Sequence, residues 1–441
     1  MRVAVVGAGI VGVTSAYELA RDGHAVTVFE RRQSVAEETS FANAGVVAPG
    51  YVTPWAAPGM LWKVLAQMPS RHAAVRMAMP VAPLGWLWRW WRACSPGLYA
   101  GNRAAMCRLA LYSQQLLHER TAELRLDFER GSGYLVLLRG NREVAGARAS
   151  LVLLADLGVK ASLVDAAQAR TVEPGLAEHT ALAGAIHLPA SEVGNCRQFA
   201  HLLRQEAQRL GVDFRFGRRV LAVEPGTTPR LRHVPVPVDG VAALVSRSSG
   251  DTSTPPMDPT PSEDAFEAVV MCTALDAIEL LRPIGIQVPL AAIHGYSVTL
   301  PLKGGDAILD QGPRSGLMDE RYKVAITRLG QRLRVAGGAE VGGRLQSQSS
   351  RSIATLYKVL QDWFPGVVQQ QAAQVWKGAR PMLPDGPPVV CRAADGLWLN
   401  LGHGSSGWAL SCGSARLLAD LVARRTGALD ARPFDLQRFA R

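Results

Sequence analysis

Residues 2–30 read RVAVVGAGIVGVTSAYELARDGHAVTVFE, and their order decides the fold. In residues 2–6 an apolar run, Val3 to Val6, follows Arg2 and stops at Gly7, the pattern of a buried parallel strand. Residues 10–22 carry Val11, Ala16, Leu19 and Ala20 at helical spacing, and residues 25–29 form a second buried strand. The result is one βαβ unit. Gly7, Gly9 and Gly12 stand where strand becomes helix, spaced Gly-x-Gly-x-x-Gly, and Glu30 closes the second strand eighteen residues after Gly12. In such a unit Gly7 permits the tight turn, Gly9 lets the backbone approach a pyrophosphate, and Gly12 lets the helix pack closely on the sheet. The pyrophosphate meets the helix N-terminus, and Glu30 accepts hydrogen bonds from the adenosine ribose. Strand, glycines, helix, strand and acid together specify a dinucleotide site, without separating flavin from nicotinamide.

The segment that follows separates them. Residues 30–45, ERRQSVAEETSFANAG, break the strand–helix alternation of a plain nicotinamide domain with a polar loop that ends in Ser40, Asn43, Ala44 and Gly45. A second glycine-rich element comes at the far end: a strand at Leu397–Leu401, a glycine turn, and a helix from about Trp408 to Arg424. Between them, 51–170 reads as mostly helical, with a helix-like run at 104–125 and a short strand at 134–138. A helix at Arg197–Leu210 and strands at Val212–Phe216, Val220–Glu224 and 266–272 come next, then strands at 294–300, 307–309, 322–328 and 332–337. The expected fold is α/β: a discontinuous Rossmann-type domain from 1–50, 171–285 and 384–441, and an α+β substrate domain with a mixed sheet from 51–170 and 286–383. Residues 225–262 hold eight prolines and read as an exposed insertion replacing a tight hairpin.

Bulk properties only set bounds. With 441 residues, 48% hydrophobic and 19% charged, the chain suits two domains sharing a cleft. The net charge of +11 rests on scattered arginines and only six lysines, which argues against nucleic-acid binding and leaves attraction to anionic lipid open. Six widely spaced cysteines, without C-x-x-C or a cysteine–histidine cluster, point to a reducing, cytoplasmic setting and to no metal. The glycine fingerprint interrupts the apolar N-terminus, so it does not read as a signal peptide. No apolar run is long enough to span a bilayer. Six of the ten tryptophans fall between Trp55 and Trp91, including GWLWRWW at 85–91 with Arg89 and Arg92 close by. That mixture in 55–92 suits a peripheral contact with the inner face of the plasma membrane. A helix burying the tryptophans in its own core is the competing reading.

Five stretches carry a family resemblance: VVGAGIVGVTSAYELARDGHAVTVFER, TSFANAGVVAPGYVTPWAAPG, DERYKVAITR, WKGARPMLPDGPPVV and LNLGHGSSGWALSCGSARLLADL. The chain resembles the glycine and D-amino-acid oxidase superfamily of flavoproteins, and more closely its bacterial D-amino-acid dehydrogenases. That resemblance implies noncovalent FAD, oxidative deamination of a D-amino acid to a 2-oxo acid and ammonia by hydride transfer to flavin N5, and electrons passing to a quinone. It places FAD contacts on Gly7, Gly9, Gly12, Glu30, Arg31, Ser40, Asn43, Gly45, Val220, Gly402, Gly404 and Gly407. One departure stands out: VVMCTALD puts Ala274-Leu275 where the superfamily usually has a glycine.

An enzyme of this kind must hold a substrate carboxylate so that the α-hydrogen faces the flavin. Arginine is suited to that, because its planar fork pairs two oxygens. Arg380 is the candidate, held extended by Pro381. Tyr322 and Tyr296, on alternating strands, are candidates to offer a hydroxyl to the carboxylate, though core packing fits them equally. His403, between Gly402 and Gly404, is a candidate to touch substrate or flavin, or else a backbone-satisfied histidine. The turn at 405–407 should aim the last helix's positive end at the flavin. Two alternatives stay open: a flavin-carrying subunit of a larger dehydrogenase, and an inactive FAD-binding relative.

Overall fold

A computed structural model describes residues 1–67, 70–236, 260–304 and 312–440. The N-terminal unit folds as its sequence demands, with strand Arg2–Val6, helix Ile10–Arg21 and strand Ala25–Glu30. Its strands centre a six-stranded sheet in the order 389–394, 397–401, 268–271, 2–6, 25–30, 213–216. The 389–394/397–401 pair is antiparallel and every other pairing is parallel. One face is covered by the helices Ile10–Arg21, Cys196–Arg209, Gly407–Val422 and Pro96–Leu124, through a core that includes Val13, Leu109, Phe199 and Leu410. Burying both faces of a parallel sheet explains why Val3 to Val6 carry no polar residue.

A ten-stranded mixed sheet forms the second layer. Its path runs 374–382, 291–301, 332–342, 324–329, 316–319, 131–138, 184–193, 46–47, with strands Val75–Ala78 and Ser162–Val164 added at its sides. Helix Ser350–Trp363 packs against it over Leu356, Val359 and Trp363. The α/β class with a mixed second sheet therefore stands. Within 171–285, however, strand Gly184–Val193 pairs with this larger sheet rather than with the dinucleotide sheet. Strand 184–193 and strand 374–382 escape a periodicity reading because Pro189, Gly378 and Pro381 interrupt them. The expected strand at 307–309 lies outside the described residues.

The expected insertion at 225–262 needs correction. Arg230–Pro235 and Ser262–Ala265 are strands of a three-stranded antiparallel sheet with Arg218–Glu224. Leu231 and His233 are buried, and the His233 ring lies 4.9 Å from Phe29. The inward alternation of Leu231 and His233 overrides the neighbouring prolines; 237–259 lies outside the described residues.

Candidate active site

The glycines of the fingerprint meet three different demands. Gly7 has φ +99°, and a Cβ there would lie 2.7 Å from the Cys272 carbonyl oxygen. A Cβ on Gly12 would lie 1.8 Å from the Gly7 oxygen, so helix and strand touch only because it is absent. A Cβ on Gly9 would meet nothing closer than Ser40 Oγ at 3.5 Å. The space before Gly9 is thus left for something other than this chain. Glu30 accepts from the Ala8 and Arg32 N–H groups, both at 2.7 Å, and burial pushes its carboxyl upward. Arg31 pairs with Asp276 at 2.6 Å and Glu38 at 2.6 Å.

Gly7, Gly9, Glu30 and Arg31, but not Gly12, line a groove of about 230 Å3 together with Ser40, Val220, Thr273, Ala274, Gly402, His403, Gly404 and Gly407. Ala274 adopts φ +49°, the left-handed conformation that a glycine favours. The alanine therefore holds a glycine-type conformation at a strain of about 1–2 kcal/mol, and it lines the groove. Thr273 Oγ1 is buried there without a partner among the described residues. Neither N-cap residue of the helices beginning at Ile10 and Gly407 caps with its own side chain; the Ile10 N–H donates to Ser40 Oγ at 3.1 Å, and the first-turn N–H groups beyond it are left for an anionic ligand. Open space at Gly9, an orphaned hydroxyl at Thr273 and these two helix starts fit FAD. Glu30 would hold its ribose, Gly7 to Gly9 with Ser40 beside them its pyrophosphate, and Gly404 and Gly407 its ring end.

Ile10, Thr39, Ser40, Gly404 and Gly407 also line a second, larger cleft of about 1130 Å3, so groove and cleft are continuous. Asn43 and Gly45 line this cleft, not the groove. Asn43 Oδ1 accepts from the Gly45 N–H, and Thr39 Oγ1 donates to the Ala379 carbonyl at 2.8 Å. That last bond ties the polar loop to the strand bearing Arg380. Arg380 reaches the cleft from strand Gln374–Met382, its Nη1 donating to the Gly338 carbonyl at 2.9 Å. No carboxylate pairs with it among the described residues, and burial lowers its guanidinium to about 10. It is a cation without an anion, beside the cofactor groove.

The other three candidates are placed differently. Tyr296 lines the cleft, but its hydroxyl donates to Glu340 Oε2 at 2.8 Å and accepts from the Ser349 N–H at 3.0 Å, so it is already committed. Tyr322 is absent from the cleft lining; it packs on His72, under the Arg139 guanidinium and the Lys358 ammonium. His403 is buried in the groove, 2.9 Å from Ser414 Oγ, and burial lowers it to about 3, which keeps it neutral. Its ring partner is thus a side chain, Ser414, and not the backbone, and it lines the groove rather than the larger cleft.

Sequence reasoning missed Tyr51, Glu320 and Lys323, which line the cleft as a hydrogen-bonded group. Tyr51 Oη donates to Glu320 Oε2 at 2.8 Å and accepts from Lys323 Nζ at 3.2 Å. It also missed a paired floor: Gly295 and Gly378 face each other across adjacent strands, with Trp376 over Gly378 and Arg380 over Gly295. Glycine inside a strand was the available signal, because it marks a close approach.

A dinucleotide groove opening onto a cleft with an unpaired guanidinium is the arrangement of a flavin-dependent oxidoreductase. The model of the family described as FAD dependent oxidoreductase matches residues 2–421. The chain is 40% identical over 445 residues to a D-amino acid dehydrogenase of Cereibacter sphaeroides, covering 100% of this chain and 96% of that relative. Among solved structures it is similar to glycine oxidase from Geobacillus kaustophilus (TM-score 0.73, 21% identity, 99% of each chain). It is also similar to L-proline dehydrogenase from P. horikoshii (TM-score 0.73, 16% identity, 100% of this chain and 97% of that one). The chain belongs to the FAD dependent oxidoreductase family, within the glycine and D-amino-acid oxidase superfamily, and FAD is its cofactor.

Proposed function

We propose that the chain is a dehydrogenase that deaminates D-amino acids to 2-oxo acids and ammonia. The observation that carries this reading is Arg380, a guanidinium with no acid partner among the described residues, at the wall of a cleft continuous with the cofactor groove. FAD, when bound, supplies the two-electron acceptor for hydride transfer from the substrate's α-carbon. Arg380 pairs the substrate carboxylate through two parallel N–H donors and fixes the α-carbon's orientation. Trp376 walls the site beside it. The uncapped start of the Gly407 helix favours negative charge at the junction of groove and cleft by ~0.3–2 kcal/mol. The apolar lining excludes water until the imine product is released to hydrolysis.

For the acceptor, the same reading invokes the outer part of the cleft. Helices Met60–Gln67 and Leu84–Ala93 expose Trp62 (73%), Leu84 (80%), Trp88 (54%) and Trp91 (57%). Trp86 is buried, so the segment is only partly its own core. Leu61, Leu65, Trp88 and Trp91 line the cleft as well. Lys63 and Arg89 lie in the same two helices, and the Arg92 guanidinium sits 4.8 Å from the Trp88 ring. This face suits an anionic lipid surface on the cytoplasmic side, with a quinone-type acceptor entering from the bilayer. Among the described residues no helix is long and apolar enough to cross a membrane. Anaerobic bleaching of the flavin by a panel of D- and L-amino acids tests the reading. Bleaching by D-amino acids supports it, and bleaching confined to L-amino acids or absent altogether overturns it.

A further inference from the structure

We infer that Gly295 is a positioning residue for Arg380, setting how the carboxylate is received without touching it. The inference rests on Arg380 being the carboxylate clamp. Glycine inside a strand weakens it, so Gly295 in the middle of Ala291–Pro301 calls for a reason. The reason is spatial. A Cβ built on Gly295 would lie 2.1 Å from Arg380 Nη2, 2.4 Å from Cζ and 2.8 Å from Nη1. All three atoms belong to one guanidinium, and none belongs to the backbone.

One nitrogen of that guanidinium is held by a bulge. Tyr296 faces Gly337 and His294 faces Glu340, so Gly338 and Ala339 together oppose Gly295 alone. Gly338 takes φ +71°, and its carbonyl accepts from Arg380 Nη1 at 2.9 Å. The guanidinium is therefore laid flat on a bare backbone position and anchored at one nitrogen, with its remaining donors available. The neighbouring Gly378, paired with Gly295, serves Trp376 in the same manner: its Cβ would lie 1.8 Å from the indole ring. Two facing glycines thus hold two different planar groups, and the nearest atoms a methyl at each would meet belong to its own group.

Gly295→Ala puts a methyl where the guanidinium lies, and the group that yields is the mobile end of Arg380. The strand itself loses no contact. Displacing the clamp by about 1 Å should cost roughly 100-fold in kcat/KM.

The test is a cycle of Gly295→Ala, Arg380→Ala and the double variant, assayed as holoenzyme on a D-amino acid and on the matching amine lacking the carboxylate. Binding of benzoate, followed by perturbation of the flavin spectrum, gives a readout independent of turnover. Gly295→Ala should keep its flavin, lose roughly 100-fold on the amino acid, weaken benzoate, and leave the amine nearly unchanged. Added to Arg380→Ala it should cost nothing further, since it acts through that residue. Gly378→Ala should show no selective loss of carboxylate recognition. Multiplicative losses in the double variant, equal losses on both substrates, the same selectivity from Gly378→Ala, or a Gly295→Ala protein that fails to fold would each overturn the inference. If Arg380→Ala shows no carboxylate-selective loss, the clamp reading itself falls. If it does and Gly295→Ala does not, only the role of Gly295 falls.

Discussion

Lys377 Nζ lies 2.6 Å from Glu340 Oε1, with the two side chains only 2% and 7% exposed. The ammonium also donates to the Arg344 and Ser347 carbonyls, and the second carboxylate oxygen takes the Tyr296 hydroxyl. Lys377 and Arg380 share a strand, so this network underlies the cleft wall and keeps Tyr296 from serving the substrate. Removing one partner of such a pair strands a buried charge. Lys377→Met should therefore cost about 3–5 kcal/mol in urea unfolding. A loss below about 1 kcal/mol would show that water reaches Glu340.

Arg380→Ala leaves a substrate carboxylate unpaired in an apolar cleft. Truncating one member of a buried charge pair costs roughly 2–5 kcal/mol. At about 1.36 kcal/mol per decade, kcat/KM for amino acids should fall about 30-fold to several-thousand-fold with FAD content unchanged. Amines without a carboxylate should be nearly indifferent, and steady-state assays on both substrate types decide the matter.

Gly9→Val and Ala274→Gly act on the groove in opposite directions. The first fills the space before Gly9, so the purified protein should come out colourless, read by its visible spectrum. The second removes about 1–2 kcal/mol of left-handed strain at φ +49°, less about 0.4–1 kcal/mol of added freedom in the unfolded chain. Calorimetry should find Ala274→Gly more stable, by up to about 1.6 kcal/mol, with flavin retained. A lower melting temperature would mean the alanine is not strained.

His403 supplies a pH dependence. Burial holds its folded value near 3, below the ordinary value of 6.5, so the unfolded chain binds the proton more readily. Stability from this group is complete above about pH 6.5 and falls as pH drops toward 3. His403→Gln should flatten that part of the profile, even though it forfeits the bond to Ser414. Urea titrations at pH 7.5 and 5 measure the slope; equal slopes in both proteins would contradict the assignment.

Local rules made the dinucleotide unit legible. Turn, helix and strand lie within thirty residues; Gly7 and Gly12 answer to atoms nearby, and Gly9 to open space. Arg380 stood out in the sequence by its chemistry and by Pro381, and it lies at the cleft. Tyr322 misled because Glu320, Tyr322 and Lys323 are neighbours in sequence that fall on different sides. Lys323 takes φ +52°, and that reversal puts Glu320 and Lys323 at the cleft and Tyr322 on the helix side. Gly295 was out of reach for another reason. Its meaning depends on the strand holding Arg380, which only the register of the ten-stranded sheet brings beside it. Leu231 hid behind prolines that mark the end of its strand, not its absence.

The starts of the Ile10 and Gly407 helices bear on how the protein is made in the cell. A newly synthesised chain that has not met flavin holds the Ile10 start by the Ser40 bond and lacks the stabilisation that a bound ligand adds. Flavin at a hundred times its dissociation constant would add about 2.7 kcal/mol to the folded state, enough to change the open fraction roughly a hundredfold. Proteases and chaperones act on that fraction. Vitamin supply during growth should thus set how much of this protein survives synthesis, before any substrate is turned over.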